Sequence, residues 1–228
     1  MNYRLALLLD LDGTLLDTAA DMGAALNRLR VEENRDPLDF ETIRPNVSHG
    51  AVRLIGLGFP AAEGNEFERL RRRFLELYAA DIAAHTCLFP GLDAVLDESE
   101  RRNIPWGIVT NKPGWLTDPL LSQLGLDRRA ACVVSGDTLA ERKPHPLPLL
   151  HAADAVRVAP ERCVYVGDAE RDIQAGRAAG MTTVVASYGY VSATDDLGSW
   201  QATGIAQHPA ELMHWLDEAR LCPPGVGA

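Results

Sequence analysis

Five short apolar runs punctuate the chain, and each gives way abruptly to polar residues. They lie within Arg4–Leu9, Pro105–Val109, Ala131–Val134, Cys163–Val166 and Thr182–Ala186. Runs that are apolar throughout, rather than at every second residue, fit strands covered on both faces, as in a parallel sheet. The segments between them read as helices: Leu92–Arg102, Leu116–Leu124 closed by Gly125, Pro146–Val156, and Ile173–Ala179 closed by Gly180. Strands alternating with helices predict an α/β fold with a parallel sheet and right-handed crossovers.

One interval breaks the alternation. About ninety residues separate Asp12 from Pro105, far more than a single crossover helix needs. Within it, Asp17–Val31, Glu41–Leu54 and Phe67–Ala84 read as helical, which predicts a small helical insertion directly after the first strand. Phe89-Pro90-Gly91 marks the return. The expected organisation is a core of residues 1–14 and 90–220, a helical unit of 15–89, and a Pro/Gly-rich flexible tail of 221–228. Arg69 to Arg73 lie on the third inserted helix and are expected to be a solvated face.

Composition bounds the partners. Apolar residues make up 46% of the 228 and charged residues 24%, so the chain can bury a core. The formal charge of −10 argues against nucleic acid and anionic membranes. An anionic substrate would have to be held by local charge. The four cysteines have no zinc spacing, and Cys132 and Cys163 fall in strand-like runs, which is the pattern of buried thiols in a reducing cytoplasm. No run reaches transmembrane length. The first apolar patch is too short for a signal-peptide core.

Ligands of open parallel sheets bind beyond the carboxyl ends of the strands, so the residues following each run belong together. These are Asp10-Leu11-Asp12-Gly13-Thr14, Thr110-Asn111-Lys112, Lys143-Pro144, and Gly167-Asp168 through Asp172. Asp10 and Asp12 are two apart and project to one side of an extended segment. Clustered carboxylates repel one another and are usually retained around a cation. An all-oxygen set with no histidine suits Mg²⁺, with Asp168 as a further ligand. A carboxylate beside Mg²⁺ can attack phosphorus, and a second acid can protonate the leaving oxygen and then activate water. Thr110 and Lys143 would hold the phosphoryl oxygens.

These four motifs, in this order, resemble those of the haloacid dehalogenase-like superfamily. The resemblance covers nearly the whole chain. It implies a Rossmann-like core with an inserted helical cap, Asp10 as nucleophile and Asp12 as general acid/base. It implies Thr110, Asn111 and Lys143 around the phosphate. Mg²⁺ would be held by Asp10, Asp168 and the backbone carbonyl of Asp12, with Asp172 supporting from behind. Val109–Pro113, Lys143–Pro148 and Ser187–Tyr190 look like the phosphoglycolate phosphatase branch, which includes N-acetylmuramic acid 6-phosphate phosphatases.

The expected activity is hydrolysis of a small phosphorylated acid or sugar. The second acid, Asp12, separates this from dehalogenase chemistry, which attacks carbon. A phosphosugar mutase would use the same aspartyl-phosphate but shield it from water. A phospho-accepting signalling module pairs adjacent acids, whereas here the pair is spaced by one. Substrate choice is expected to lie in the cap, with His49 and Arg53 as candidates. Trp115 is expected to pack. Leu15-Leu16 and Phe89-Pro90-Gly91 are the expected hinges.

Overall fold

The computed structural model describes residues 5–221; Arg4, Cys222 and nearly all of the expected tail lie outside them. In chain order, β1 (Ala6–Leu9) leads to β2 (Leu16–Asp17). Then follow α1 (Ala19–Glu32), α2 (Phe40–Ile43), a 3-10 turn (Arg44–His49), α3 (Gly50–Gly58) and α4 (Gly64–Ala80). The chain returns through β3 (Cys87–Leu88), α5 (Leu92–Arg101) and β4 (Trp106–Val109). It continues with α6 (Gly114–Gln123), β5 (Cys132–Val134), α7 (Leu147–Ala155), β6 (Cys163–Gly167) and α8 (Glu170–Ala178). β7 (Thr182–Ala186), β8 (Gly204–Ala206) and α9 (Leu212–Leu221) complete the described chain.

The expected parallel sheet is present, in the order β5-β4-β1-β6-β7-β8, with every pairing parallel. β1 sits centrally, Leu8 beside Gly107 on one side and Tyr165 on the other. Its residues alternate between two cores. Leu7 and Leu9 join one apolar cluster with Trp106, Ile108 and Val166. Ala6 and Leu8 join another with Leu149, Ala152 and Tyr165. A strand covered on both faces has no polar position until it ends, which is why the run is unbroken and why Asp10 falls at its carboxyl edge.

The interval between β1 and β4 is helical as expected. α1 packs along α4 through buried Leu26, Leu29, Leu70 and Phe74, in the same cluster as the sheet's Leu7 and Leu9. The two crossings lie side by side: β2 pairs antiparallel with β3, Leu16 against Leu88. The helix expected over Glu41–Leu54 is three pieces instead. Pro45 lies inside the 3-10 turn, and Gly50 takes φ +70°, a left-handed conformation that separates the turn from α3. β8 and α9 were not legible in the sequence. β8 is three residues with exposed Ile205, on the sheet's edge. No helix of the described residues is long and apolar enough to cross a membrane.

Arg69 and Arg73 form the expected solvated face. Arg69 pairs with Glu33 at 2.7 Å and Arg73 with Glu32 at 2.8 Å, tying α4 to the end of α1. Among the described residues Cys87, Cys132 and Cys163 are free thiols.

Candidate active site

The polar residues that follow β1, β4 and β6, with the segment before α7, meet at one edge of the sheet. Asp10 comes immediately after β1, its backbone N–H donating to the Val166 carbonyl at 2.9 Å. Its side chain is 4% exposed. Lys143 Nζ stands 2.8 Å from Asp10 Oδ1 and 2.7 Å from Asp172 Oδ1. The same ammonium donates to the Val109 carbonyl at 2.7 Å and to the Tyr165 hydroxyl at 2.8 Å. Asn111 fixes this lysine's backbone from both sides: its Nδ2 donates to the Lys143 carbonyl at 2.9 Å, and its Oδ1 accepts the Lys143 N–H at 3.0 Å.

Asp168 and Asp172 are carried by the end of β6 and the first turn of α8. Asp172 accepts the Ala169 N–H at 3.1 Å and the Tyr165 hydroxyl at 3.1 Å. Asp168 Oδ2 accepts the Tyr190 N–H at 3.1 Å and the Ser48 hydroxyl from the 3-10 turn. Asp168 Oδ1 is buried without a hydrogen-bond partner. Asp10, Asp168 and Asp172 each offer an oxygen, and these oxygens lie within 4.8 Å of one another. Gly13, at φ +85°, passes so close that a Cβ there would collide with Asp168 Oδ2 and the Tyr190 ring.

Three buried acids, two of them paired with the Lys143 ammonium, shift one another. Burial pushes the Asp168 carboxyl up to about 7, with Asp10 and Asp172 adding to the rise. Burial also raises Asp10 against the pull of Lys143. For Asp172 burial works upward too, but the Lys143 ammonium and the Arg171 guanidinium outweigh it and hold the carboxyl below its usual range. An excess of clustered carboxylate, one oxygen of it unpartnered, fits a hard divalent cation bound through oxygen.

The Asp12 side chain stands apart from the acid cluster. Its Oδ1 meets Lys112 Nζ at 2.7 Å and accepts the Thr18 hydroxyl at 2.8 Å. Lys112 also reaches the Tyr78 hydroxyl of α4 at 3.0 Å and lies over that ring, 4.6 Å from its centroid. Burial pushes the Tyr78 phenol up to about 12. Thr110 accepts the Lys112 N–H at 3.1 Å through its hydroxyl oxygen.

Asp10, Asp12, Thr110 and Asn111 open into a cavity of about 510 Å³ that runs to the inserted helices. His49 lines it; Arg53 does not, being exposed and bonded to Asn46 Oδ1 at 2.6 Å. Burial, with Arg171 and Arg53 nearby, lowers the His49 imidazole below its usual range. Trp115 is 53% exposed on the cavity wall rather than packed, while its neighbour Leu116 is buried. Sequence reasoning missed Ser48, Lys112 and Arg171. Lys112 was visible only as the end of Thr110-Asn111-Lys112; Ser48 and Arg171 carried no spacing signal.

A sequence model of the haloacid dehalogenase-like hydrolases matches residues 7–186. A phosphoglycolate phosphatase of Xanthomonas campestris pv. campestris is 46% identical over 93% of this chain and 96% of its own length. An N-acetylmuramic acid 6-phosphate phosphatase of Pseudomonas putida is 40% identical over 95% and 97%. The crystal structure of a predicted phosphoglycolate phosphatase from Haemophilus somnus superposes with a TM-score of 0.83 at 24% identity, covering 94% of this chain and 99% of that one. The fold, the acid-lined sheet edge and these matches agree: the chain belongs to the haloacid dehalogenase-like hydrolases.

Proposed function

We propose that this protein is a Mg²⁺-dependent phosphatase of small phosphorylated carboxylic acids, with Asp10 as the attacking group. The observation that carries the reading is the oxygen cluster of Asp10, Asp168 and Asp172 beside Lys143, from which Asp10 opens into the cavity. Phosphoglycolate and N-acetylmuramic acid 6-phosphate, named for the two relatives, each carry a carboxylate besides the phosphate, and either is a candidate substrate.

Asp10 Oδ attacks phosphorus, and the bond from phosphorus to the ester oxygen breaks, leaving an aspartyl-phosphate. Asp12 gives its proton to the departing alkoxide. It then takes one from the water that attacks the same phosphorus, which frees phosphate and restores Asp10. Thr110 and Lys143 hold the phosphoryl oxygens, and Asn111 acts by locking Lys143 in place. Asp10, Asp168 and the Asp12 backbone carbonyl would hold Mg²⁺, with Asp172 behind them. When bound, the ion supplies charge to offset the clustered carboxylates and the phosphoryl oxygens.

Residues 15–89 act as a cap over a core of 1–14 and 90–220, turning at the paired β2–β3 crossings to admit substrate and exclude water. The setting is the cytoplasm, in keeping with free thiols and an acidic surface. Phosphate release from a panel of metabolite esters, with Mg²⁺ or with chelator, tests the reading. Turnover that survives chelation and Asp10→Asn together sinks it.

A further inference from the structure

Several arginines of this protein pair directly with carboxylates: Arg69 meets Glu33 at 2.7 Å, Arg102 meets Asp217 at 2.8 Å and Arg129 meets Asp97 at 2.6 Å. Arg171 does not. It is the second residue of α8, half-buried on the cavity wall. Its Nη2 donates to the Ser48 carbonyl at 2.6 Å, and it makes no direct ion pair with a carboxylate of the described residues, although the charges of Asp172, Asp10 and Asp168 are near enough to act on it. A guanidinium carries five N–H donors in a rigid fork, and a single bond to one carbonyl leaves most of them unspent. A half-buried cation facing a cavity in a chain of formal charge −10 is a placed charge rather than part of a general basic surface.

The phosphoryl group already has Thr110 and Lys143, so Arg171 is surplus to that task. The other cavity arginines are less suited to a specific contact. Arg71 is paired with Glu68 at 2.8 Å, and Arg142 is exposed. Arg171 adjoins the acid cluster through Ser48, whose carbonyl it holds while the Ser48 hydroxyl bonds Asp168. His49, next in the chain, lines the same wall. A short phosphorylated acid seated on Asp10 would bring its carboxylate to this wall.

The geometry points to Arg171 as the specificity-determining residue that grips the substrate's carboxylate through its free fork. This rests on the reading of the site as a phosphatase. The carboxylate–guanidinium contact would be bidentate and charge-assisted, and it would favour phosphorylated acids over neutral phosphate esters of the same size.

Two substrate pairs test the assignment, the first differing in the carboxylate itself and the second in the lactyl ether that carries it. They are phosphoglycolate against 2-hydroxyethyl phosphate, and N-acetylmuramic acid 6-phosphate against N-acetylglucosamine 6-phosphate, each measured with Mg²⁺. In at least one pair the wild type should prefer the acid. R171Q should lower kcat/KM for that acid about 10- to 100-fold more than for its neutral partner, chiefly through KM. R171K should recover part of the loss, since it keeps the charge but not the fork. Should R171Q not fold, R171K carries the same comparison alone. Equal losses on acid and neutral ester, or no preference in the wild type, overturn the role of Arg171 while leaving the phosphatase reading standing. No turnover of any of the four esters by the wild type sinks both.

Discussion

Lys112 and Asp12, a hundred residues apart in the chain, meet at 2.7 Å just beyond the ends of β4 and β1. The lysine side chain is 4% exposed and the aspartate 16%. Tyr78 completes the contact from α4, so the proposed acid/base is tied to the inserted helices as well as to the core. Lys112→Met should lower the unfolding free energy by about 3 kcal/mol. That is the lower end for breaking a buried pair, because Asp12 keeps some contact with water. Urea denaturation measures it. With Asp12 no longer held, kcat should fall on the order of 10²-fold, and the loss should vanish in an Asp12→Asn background.

Asp12→Asn removes the proposed proton donor and leaves the proposed nucleophile in place. Its effect should track the leaving group: about 10²- to 10⁴-fold for alkyl phosphates and much less for p-nitrophenyl phosphate, whose phenolate departs unaided. Steady-state rates on the two ester types check this. Equal losses would mean that Asp12 serves binding rather than proton transfer.

Lys143 sits between two buried carboxylates, at 2.8 Å from Asp10 and 2.7 Å from Asp172. Lys143→Met leaves both without a cation and should cost about 3–5 kcal/mol of stability. Adding Asp10→Asn should return part of it, because one stranded charge is then gone. Chemical denaturation of the single and double variants, in chelator, separates the two effects.

Asp168 gives the metal-free protein a pH dependence. Its carboxyl, pushed up to about 7 by burial, keeps its proton in the folded chain but loses it near 4 when unfolded. The resulting stability is complete below pH 4 and is lost as pH rises through 7, about 4 kcal/mol in all from this residue. In chelator the unfolding midpoint should therefore fall across that range. Added Mg²⁺ should restore most at neutral pH, where the ligand is ionised, and little at pH 5. Thermal melts at several pH values, with and without the ion, read this directly. A stabilisation by Mg²⁺ that is the same at both pH values would contradict it.

Much of the site was legible because the chemistry sits at fixed places in the strand pattern. A doubly covered strand has no polar residue until it ends, so Asp10, Thr110 and Asp168 announce themselves at the edges of β1, β4 and β6. Lys143 was legible only through its motif, since it precedes a helix rather than ending a strand. The wall of the cavity was harder to read. Ser48 reaches Asp168 because Pro45 and Gly50 break what the periodicity alone extends into one helix. Arg171 and Lys112 act through partners distant in sequence, Ser48 and Asp12. Arg53 and Trp115 show the converse: one turns to Asn46 and the other lines the cavity instead of packing.

The nucleophile is the centre of the account, and trapping tests it most directly. The protein is mixed with the ester it turns over fastest, in Mg²⁺, quenched in acid within the first turnovers, and digested for peptide mass analysis. A phosphoryl group on the peptide carrying Asp10, absent in Asp10→Asn, is the predicted result. A phosphoryl group on another residue, or undiminished turnover by Asp10→Asn, would contradict the assignment.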